Sequence, residues 1–432
     1  MSTTSMSLET LRFLLQYMDA NQRFEIYQRC PSIREFEKSV PLKINSLIFM
    51  PGCVRVNDTS YSINIIRKYN VGEVNPHLGL FENEIVFYYD VDRYGFKDFS
   101  DETRKTPGDV EINRPRMVQR IEMMNNDDEF RITVLENFIQ NHETQLANRL
   151  ERRPNANRNV IDQMRNTIAM LRERLLDYQY RRENTPPNYE HFLQLTISRT
   201  VDEQEQKTIQ RYIHNKKYSD AVKQLTTVLL GGRSFPISVE RMQLLCRQGV
   251  IRLPVGLKFK IKQLKFIGAV GTTLEAVAPI FHESSFPLKE LDVGNLSAAD
   301  VTNPIVVTAE KLRIRLITRN RWQVILAIKN PVVQVSKRLS KHIFEKFIST
   351  WIESERRPIG SEFIFDQYHE PHYANELEEI LKRRFNGVAI DDENVIIPMN
   401  DAAHLKVSYG PFPEFAPCSR WAVRFSTEAI EH

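Results

Sequence analysis

Val239-Glu-Arg-Met242-Gln-Leu244, Ile261-Lys-Gln-Leu264-Lys-Phe266 and Leu288-Lys-Glu-Leu291-Asp-Val293 share one apolar template, with apolar residues at the first, fourth and sixth positions. Ala309-x-x-Leu312-x-Ile314 repeats it more loosely, and the starts lie about 21 to 27 residues apart. Lys43 to Phe49 places Ile44, Leu47 and Phe49 at the same spacing far upstream. A period of roughly 20–29 residues is that of stacked strand-plus-helix units. Such units stack because each buries its apolar face only against its neighbours.

The surrounding sequence extends this pattern. His191 to Ser198 reads as a strand, and Glu203 to Leu230 as two helices broken near Asn215-Lys216-Lys217. Thr273 to His282 is helical in pattern. Leu339 to Glu353 sets Ile343, Phe344, Phe347, Ile348, Trp351 and Ile352 at helical spacing. Strand Glu362 to Asp366, helix Ala374 to Phe385 and a turn-rich closing strand from Ser408 to Phe425 follow, with Trp421, Val423 and Phe425 on one face. Residues 189–432 therefore read as an irregular leucine-rich-repeat-like α/β region, or as a mixed domain with short strands.

Two further units precede it. Val54-Arg-Val56, Tyr61 to Ile66 and Glu84 to Val91 alternate or are rich in β-branched and aromatic residues, with a turn at Asn57-Asp58. They predict a small β unit with a following loop over 41–112, the polar run Arg93 to Arg116 crossing the surface. Glu129 to Glu151 and Arg158 to Arg182 are the clearest helices and predict a hairpin within 113–188. The first offers Phe130, Val134, Leu135, Phe138, Leu146 and Leu150, and the second a heptad-like seam from Ile161 to Tyr178. Asn157 or Asn159 caps the second helix, and Pro186-Pro187 ends it. The hairpin either closes on itself or serves as an interaction arm. The whole is α+β in class.

The N-terminal segment, 1–40, is helical. Leu8, Leu11, Leu14, Leu15 and Met18 describe one amphipathic face, Asp19-Ala-Asn21 interrupts it, and Phe24, Ile26, Tyr27 and Cys30 form a second set closed by Pro31. Three short helices in so few residues cannot bury their own apolar faces. Leu8-Glu-Thr-Leu11 into Leu14-Leu15-Gln-Tyr17-Met18-Asp19, then Arg23-Phe24-Glu25-Ile26-Tyr27-Gln28-Arg29-Cys30, resembles an F-box. Ser7, Ala20 and Ile33 stand where that motif carries its two prolines and its tryptophan. Nearly end to end, the chain is similar to the nematode-expanded F-box-C family, whose C-terminal region has no assigned activity. The resemblance implies a non-catalytic substrate receptor of an SCF-type ubiquitin ligase. Its adaptor-binding residues would be Leu8, Leu11, Leu14, Leu15, Met18, Phe24 and Ile26, docking the Skp-type adaptor, with an unknown target protein held by the C-terminal region. The other reading is a structural or protein-interaction protein with a degenerate F-box that no longer binds the adaptor.

Composition narrows the function classes. The 432 residues are 41% hydrophobic, enough for a large core. Net charge is only +4 and the cations are interleaved with carboxylates, which argues against nucleic acid as a partner. Cys30, Cys53, Cys246 and Cys418 are isolated, with no metal-ligand spacing and no disulfide framework. No apolar run is long enough for a bilayer and no secretory pattern opens the chain, so a cytoplasmic or nuclear protein without membrane attachment is expected. Chemistry is equally sparse. His369-Glu-Pro-His372 lacks the spacing that sets two ligands on one helical face, and its proline suggests a loop. Gly231-Gly232-Arg233 follows a helix and reads as its C-cap rather than a phosphate cradle. Asp391-Asp-Glu-Asn394 lacks the glycine and alternation of a calcium loop. No catalytic residue, metal or cofactor is predicted; an enzyme would need an unrecognised apolar pocket with convergent polar groups.

Overall fold

The computed structural model describes residues 7–69, 84–98, 104–112, 127–152, 157–201, 203–246, 249–315, 322–336, 339–353, 358–367, 371–391, 394–400, 402–411 and 421–430. Pro115, His369-Glu370, Asp392-Glu393 and Cys418 of the sequence reading lie outside them. Helices α1 (Leu8–Tyr17), α2 (Ala20–Arg29) and α3 (Arg34–Lys38) come first. They lead to strands β1 (Lys43–Met50), β2 (Cys53–Val56), β3 (Thr59–Tyr69), β4 (Glu84–Phe87) and β5 (Val110–Ile112). The hairpin α4 (Asp128–Arg152) and α5 (Arg158–Glu183) precedes β6 (Tyr189–Val201), β7 (Gln204–Ile213) and α6 (Tyr218–Leu230). Then β8 (Ile237–Leu244), β9 (Gly249–Ile251), β10 (Phe259–Phe266), α7 (Val270–Val277), β11 (Glu290–Val293), α8 (Pro304–Thr308) and β12 (Lys311–Ile314) follow. The chain continues through α9 (Trp322–Leu326), β13 (Val332–Val335), α10 (Lys341–Glu353), β14 (Glu362–Gln367) and α11 (Pro371–Phe385). It closes with β15 (Val388–Ala389), β16 (Asn394–Pro398), β17 (Ala403–Pro411) and β18 (Trp421–Ala429).

The fold is α+β, built on one long mixed sheet in the order β15-β16-β17-β18-β14-β13-β12-β11-β10-β8-β1-β2-β3-β6-β7, with β4 beside β3. Its centre, from β1 to β14, is parallel. Both wings are antiparallel. The apolar template has a direct meaning here. Leu47, Met242, Leu264, Leu291, Leu312, Val333 and Phe363 pair in a single row across the parallel strands. None of them is more than 1% exposed. A two-residue polar step, such as Glu240-Arg241 or Lys262-Gln263, separates that row from the buried Val239 and Ile261 before it. Helices between the strands supply Val270, Leu274, Val306, Ile325 and Phe344 to the same core.

Two strands of this centre escape the template. β13 belongs to a unit whose first slot is Asn330, not an apolar residue; it is buried, and its amide donates to the carbonyls of Val306 (2.7 Å) and Ala309 (2.8 Å). A polar side chain so satisfied costs little to bury. β14 is closed against β18 by an aromatic cluster in which Phe347 touches Trp351, Phe363, Phe365 and Phe425 at centroid distances of 4.9 to 5.5 Å. Val423 and Phe425 are buried on the expected face with Trp421 at its margin.

Four sequence expectations change, the first being that Val110–Ile112, inside the run expected as a surface loop, form β5 and pair with β9. Residues 204–213 form a strand rather than a helix: β7 pairs along its whole length with β6. Every residue of it is exposed, so no burial period marked it. Its charged side chains Glu205, Lys207 and Arg211 suit a sheet edge, where charge discourages further pairing. In α4 the buried residues are Ile132 and Ile139, whereas Phe130 and Phe138 are about half exposed at 51% and 53%. The helix at 374–385 starts earlier, at Pro371, where a proline at the first position loses no helical bond.

The hairpin is fastened to the sheet by Arg67 of β3. Its guanidinium lies 3.0 Å from both Glu173 and Asp177 of α5, and 3.9 Å over the ring of Tyr189. Tyr69 and Tyr189 donate hydroxyl hydrogens to the same two carboxylates. Burial alone would lower the Arg67 pKa, but Asp177, Tyr189 and Tyr69 outweigh it and hold the cation above its ordinary value. Within the hairpin, Asn157 caps α5 through the amide of Asn159 at 3.0 Å, and Arg181 pairs with Asp128. Arg67→Met strands two buried carboxylates, so a loss of about 3–5 kcal/mol is expected in urea unfolding. Adding Glu173→Gln and Asp177→Asn to that variant should restore much of the loss; no restoration would show that Arg67 acts by packing alone.

Candidate interaction surface

Ser7 starts α1 by accepting a hydrogen bond from the Thr10 amide at 3.1 Å, and Asp19 starts α2 by accepting from the Asn21 amide at 2.8 Å. The turn between β2 and β3 then grips α2. Asn57, at φ +53°, accepts from the amides of Asn45 and Ser46 and donates to Asp19 at 2.8 Å. Asn21 donates to the Val56 carbonyl at 3.1 Å and accepts from the Tyr61 hydroxyl at 3.0 Å. Phe24 sits edge-on to Tyr61, and Ala20 joins the main core.

A buried polar clamp completes the attachment. Glu37 of α3, with no exposed side-chain area, accepts from Arg23 at 2.8 Å and from Arg233 at 3.1 Å. Arg23 also donates to the carbonyls of Glu37, Val40 and Pro41, satisfying the chain where α3 ends. Lys38 crosses to the Val228 carbonyl at 2.9 Å, near the end of α6. There Gly231 caps the helix and Gly232 takes φ +68°, which turns Arg233 back towards Glu37. The glycine pair is thus a helix terminus, and it delivers one half of an ion pair.

Of the seven residues expected to contact an adaptor, the structure does not make one face. Leu15 is fully buried, Phe24 is 2% exposed, and Leu11, Met18 and Ile26 are half-buried. Leu8 and Leu14 are exposed at 68% and 44%. They are joined by Phe13 (61%) and Tyr17 (77%), whose rings lie 4.8 Å apart one helical turn from each other. Neither aromatic is among the seven expected contacts, although Phe13 and Tyr17 stand at the i,i+4 spacing that brings two rings together on a helix. The outcome is an apolar stripe of Phe13, Leu14 and Tyr17 on α1, with Leu8 exposed apart from it on the side of Leu11 and Leu15.

A second feature is a cleft lined by Pro51, Gly52, Tyr88, Tyr89, Asp90, Tyr218 and Cys246, among others. Burial pushes the Cys246 thiol up to about 11, so no thiolate is available there at neutral pH. Asp90 accepts from the Tyr218 amide at 2.6 Å and so serves as the cap of α6. Among the described residues no group of His, Cys, Asp and Glu is arranged to hold a metal ion, and no helix is long and apolar enough to cross a membrane.

Residues 217–369 match a family described as Domain of unknown function (DUF3557). That range takes in α6, the parallel strands from β8 to β14 and the helices between them, and stops short of the N-terminal helices. Residues 217–369 thus carry a domain whose family has no assigned function, as the sequence led one to expect of part of the C-terminal region. No curated protein and no solved structure matches the chain.

Burial, and after it the nearby Arg233, lower the Lys38 ammonium from its ordinary 10.5 to about 8. Between those values the unfolded chain binds more protons at this site than the folded one, so stability rises with pH there. The cost of burying the charge is fully present below pH 8 and is relieved towards 10.5. Urea midpoints should accordingly climb between these two pH values in the wild type relative to Lys38→Met, and parallel pH profiles would refute a buried charge at this position. Glu37→Gln removes the carboxylate shared by Arg23 and Arg233 and should cost about 3–5 kcal/mol in the same assay.

Proposed function

We propose that the chain is a non-catalytic substrate receptor of an SCF-type ubiquitin ligase, with α1 docking the Skp-type adaptor and the C-terminal region holding a target protein. The observation that carries this reading is the exposed stripe of Phe13, Leu14 and Tyr17 on α1, with Leu8 exposed at the start of the same helix, beside α2 and α3 that are clamped to each other. A contiguous apolar patch left in water usually marks a partner. The adaptor contacts are then Leu8 and Leu14 with Phe13 and Tyr17, Leu11, Met18 and Ile26 lie at the margin, and Leu15 and Phe24 seat the helices. The parallel strands in chain order, alternating with helices and sharing one apolar row, support an irregular leucine-rich-repeat-like stack. Such stacks offer extended surfaces to other proteins. Ubiquitin transfer belongs to other subunits in this scheme, so the receptor needs neither cofactor nor metal and works in the cytoplasm or nucleus.

One observation favours the second reading, an interaction protein whose F-box-like unit has lost the adaptor. Leu15 and Phe24 are both committed to packing within this chain. The two readings part in a pull-down of the full chain on purified Skp-type adaptor. Leu8→Asp with Leu14→Asp changes exposed positions only, so the fold should survive and adaptor binding should fall about tenfold or more through buried, unpaired charge. Absence of binding by the unmodified chain would leave the second reading in place.

A further inference from the structure

The outward positions of the parallel strands carry a charged surface that the stripe on α1 does not use. Two rows cross the sheet beside the buried apolar row. In one, Ser46, Arg241, Gln263, Glu290 and Lys311 pair in succession. In the other, Ile48, Gln243, Lys265, Asp292, Arg313 and Gln334 do the same. Around them lies an open depression in which Leu264 is the one apolar lining residue. Five cations, Arg241, Lys265, Lys311, Arg313 and Arg315, face two carboxylates, Glu290 and Asp292.

Both carboxylates are already engaged. Asp292 accepts from Arg315 twice, at 2.7 and 2.6 Å, and Glu290 lies 3.6 Å from Arg313. The surplus is therefore cationic. The Lys265 side chain makes no hydrogen bond or ion pair among the described residues, and it is surrounded by Arg315, Arg313 and Arg241 with only Asp292 opposing them. Burial, then these cations, lower its pKa from the ordinary lysine value. Just outside the depression Lys262 is neutralised by Glu240 at 2.6 Å, so the excess stays local.

We infer that this face of the parallel sheet takes an extended, acidic segment of a partner protein, with carboxylates meeting Arg241, Lys265 and Lys311. The inference deepens the target-holding half of the reading above and does not depend on the adaptor half. The match in spacing is simple. Neighbouring strands lie about 4.8 Å apart, so Lys265 on β10 and Lys311 on β12, with β11 between them, stand roughly 10 Å apart across the sheet, while Arg241 on the adjoining β8 flanks Lys265. An extended chain crossing the strands advances roughly 3.3 Å per residue, which brings an acidic side chain to the same point at about every third residue. Fixed carboxylates at the centre of the depression suit a peptide, which brings amide donors as well as charge. A phosphodiester backbone offers them no such donor, and no aromatic side chain lines the depression to stack a base. The surface lies within the range matched to the domain of unknown function.

The test uses the full chain and fluorescence anisotropy with a labelled, extended peptide bearing glutamate at every third position. The comparison ligands are the same peptide with glutamine in place of glutamate, and a single-stranded oligonucleotide of similar length. Binding of the acidic peptide is expected, weakening as salt screens the contact. Arg241→Glu with Lys265→Glu should weaken it about tenfold or more, whereas Glu290→Lys should strengthen it. Thermal unfolding of each variant confirms that the fold is intact, and the opposite sign of Glu290→Lys separates charge from damage. No binding by the unmodified chain, equal binding of the glutamine peptide, or tighter binding of the oligonucleotide each overturns the inference. The same variants, run on the Skp-type adaptor, should bind as the wild type does; loss of adaptor binding by the unmodified chain would sink the earlier reading without touching this one.

Discussion

One shared register governs the centre of this molecule. Leu47, Met242, Leu264, Leu291, Leu312, Val333 and Phe363 lie in one buried row, so a slip of any strand by one residue would send its apolar set into water. The two-residue polar step before that row fixes which side chains look outward in every strand. The charged rows beside it are a consequence: Arg241, Lys265 and Arg313 are gathered on one face of the sheet because Met242, Leu264 and Leu312 are held in register behind them. β1 enters the same row from far upstream, which makes the N-terminal part of the chain a continuation of the sheet rather than an appendage.

Attached parts are held by buried charges instead. Glu37 joins α3 to the end of α6 through Arg233, 196 residues away in sequence. Arg67 joins the sheet to α5 across 106 residues. Asp109, whose side chain is wholly buried, gathers Lys223 and Arg252 and pins the β5 segment. Such pairs contribute little against an apolar replacement, but breaking one partner is expensive, and their geometry specifies a single arrangement. For the N-terminal unit this has a functional side. With α2 and α3 fixed, α1 is left to present one face inward through Leu15 and another to solvent through Phe13, Leu14 and Tyr17. The apolar face of α1 and the cationic face of the sheet are chemically distinct.

Sequence by itself determined the elements whose signals are local. Asp19 and Asn157 mark helix starts because their side chains bond the next amides, Gly232 marks a helix end because it accepts a left-handed backbone, and the apolar template marks strands because burial repeats with the pleat. It missed β7, which buries nothing, and the unit opened by Asn330, whose polar side chain is satisfied only by carbonyls of the preceding turn. Tertiary structure alone decided which apolar residues of the N-terminal helices face water. Periodicity reports that a face is apolar, not what covers it, and the cover for Phe24 comes from Tyr61 while the clamp for α3 comes from Arg233. It also decided the cationic face, since Arg241, Lys265 and Arg313 are scattered through the sequence and become neighbours only when the strands align. Local propensity is written in adjacent residues; partnership between distant ones is set by the register and the buried charges that close the fold.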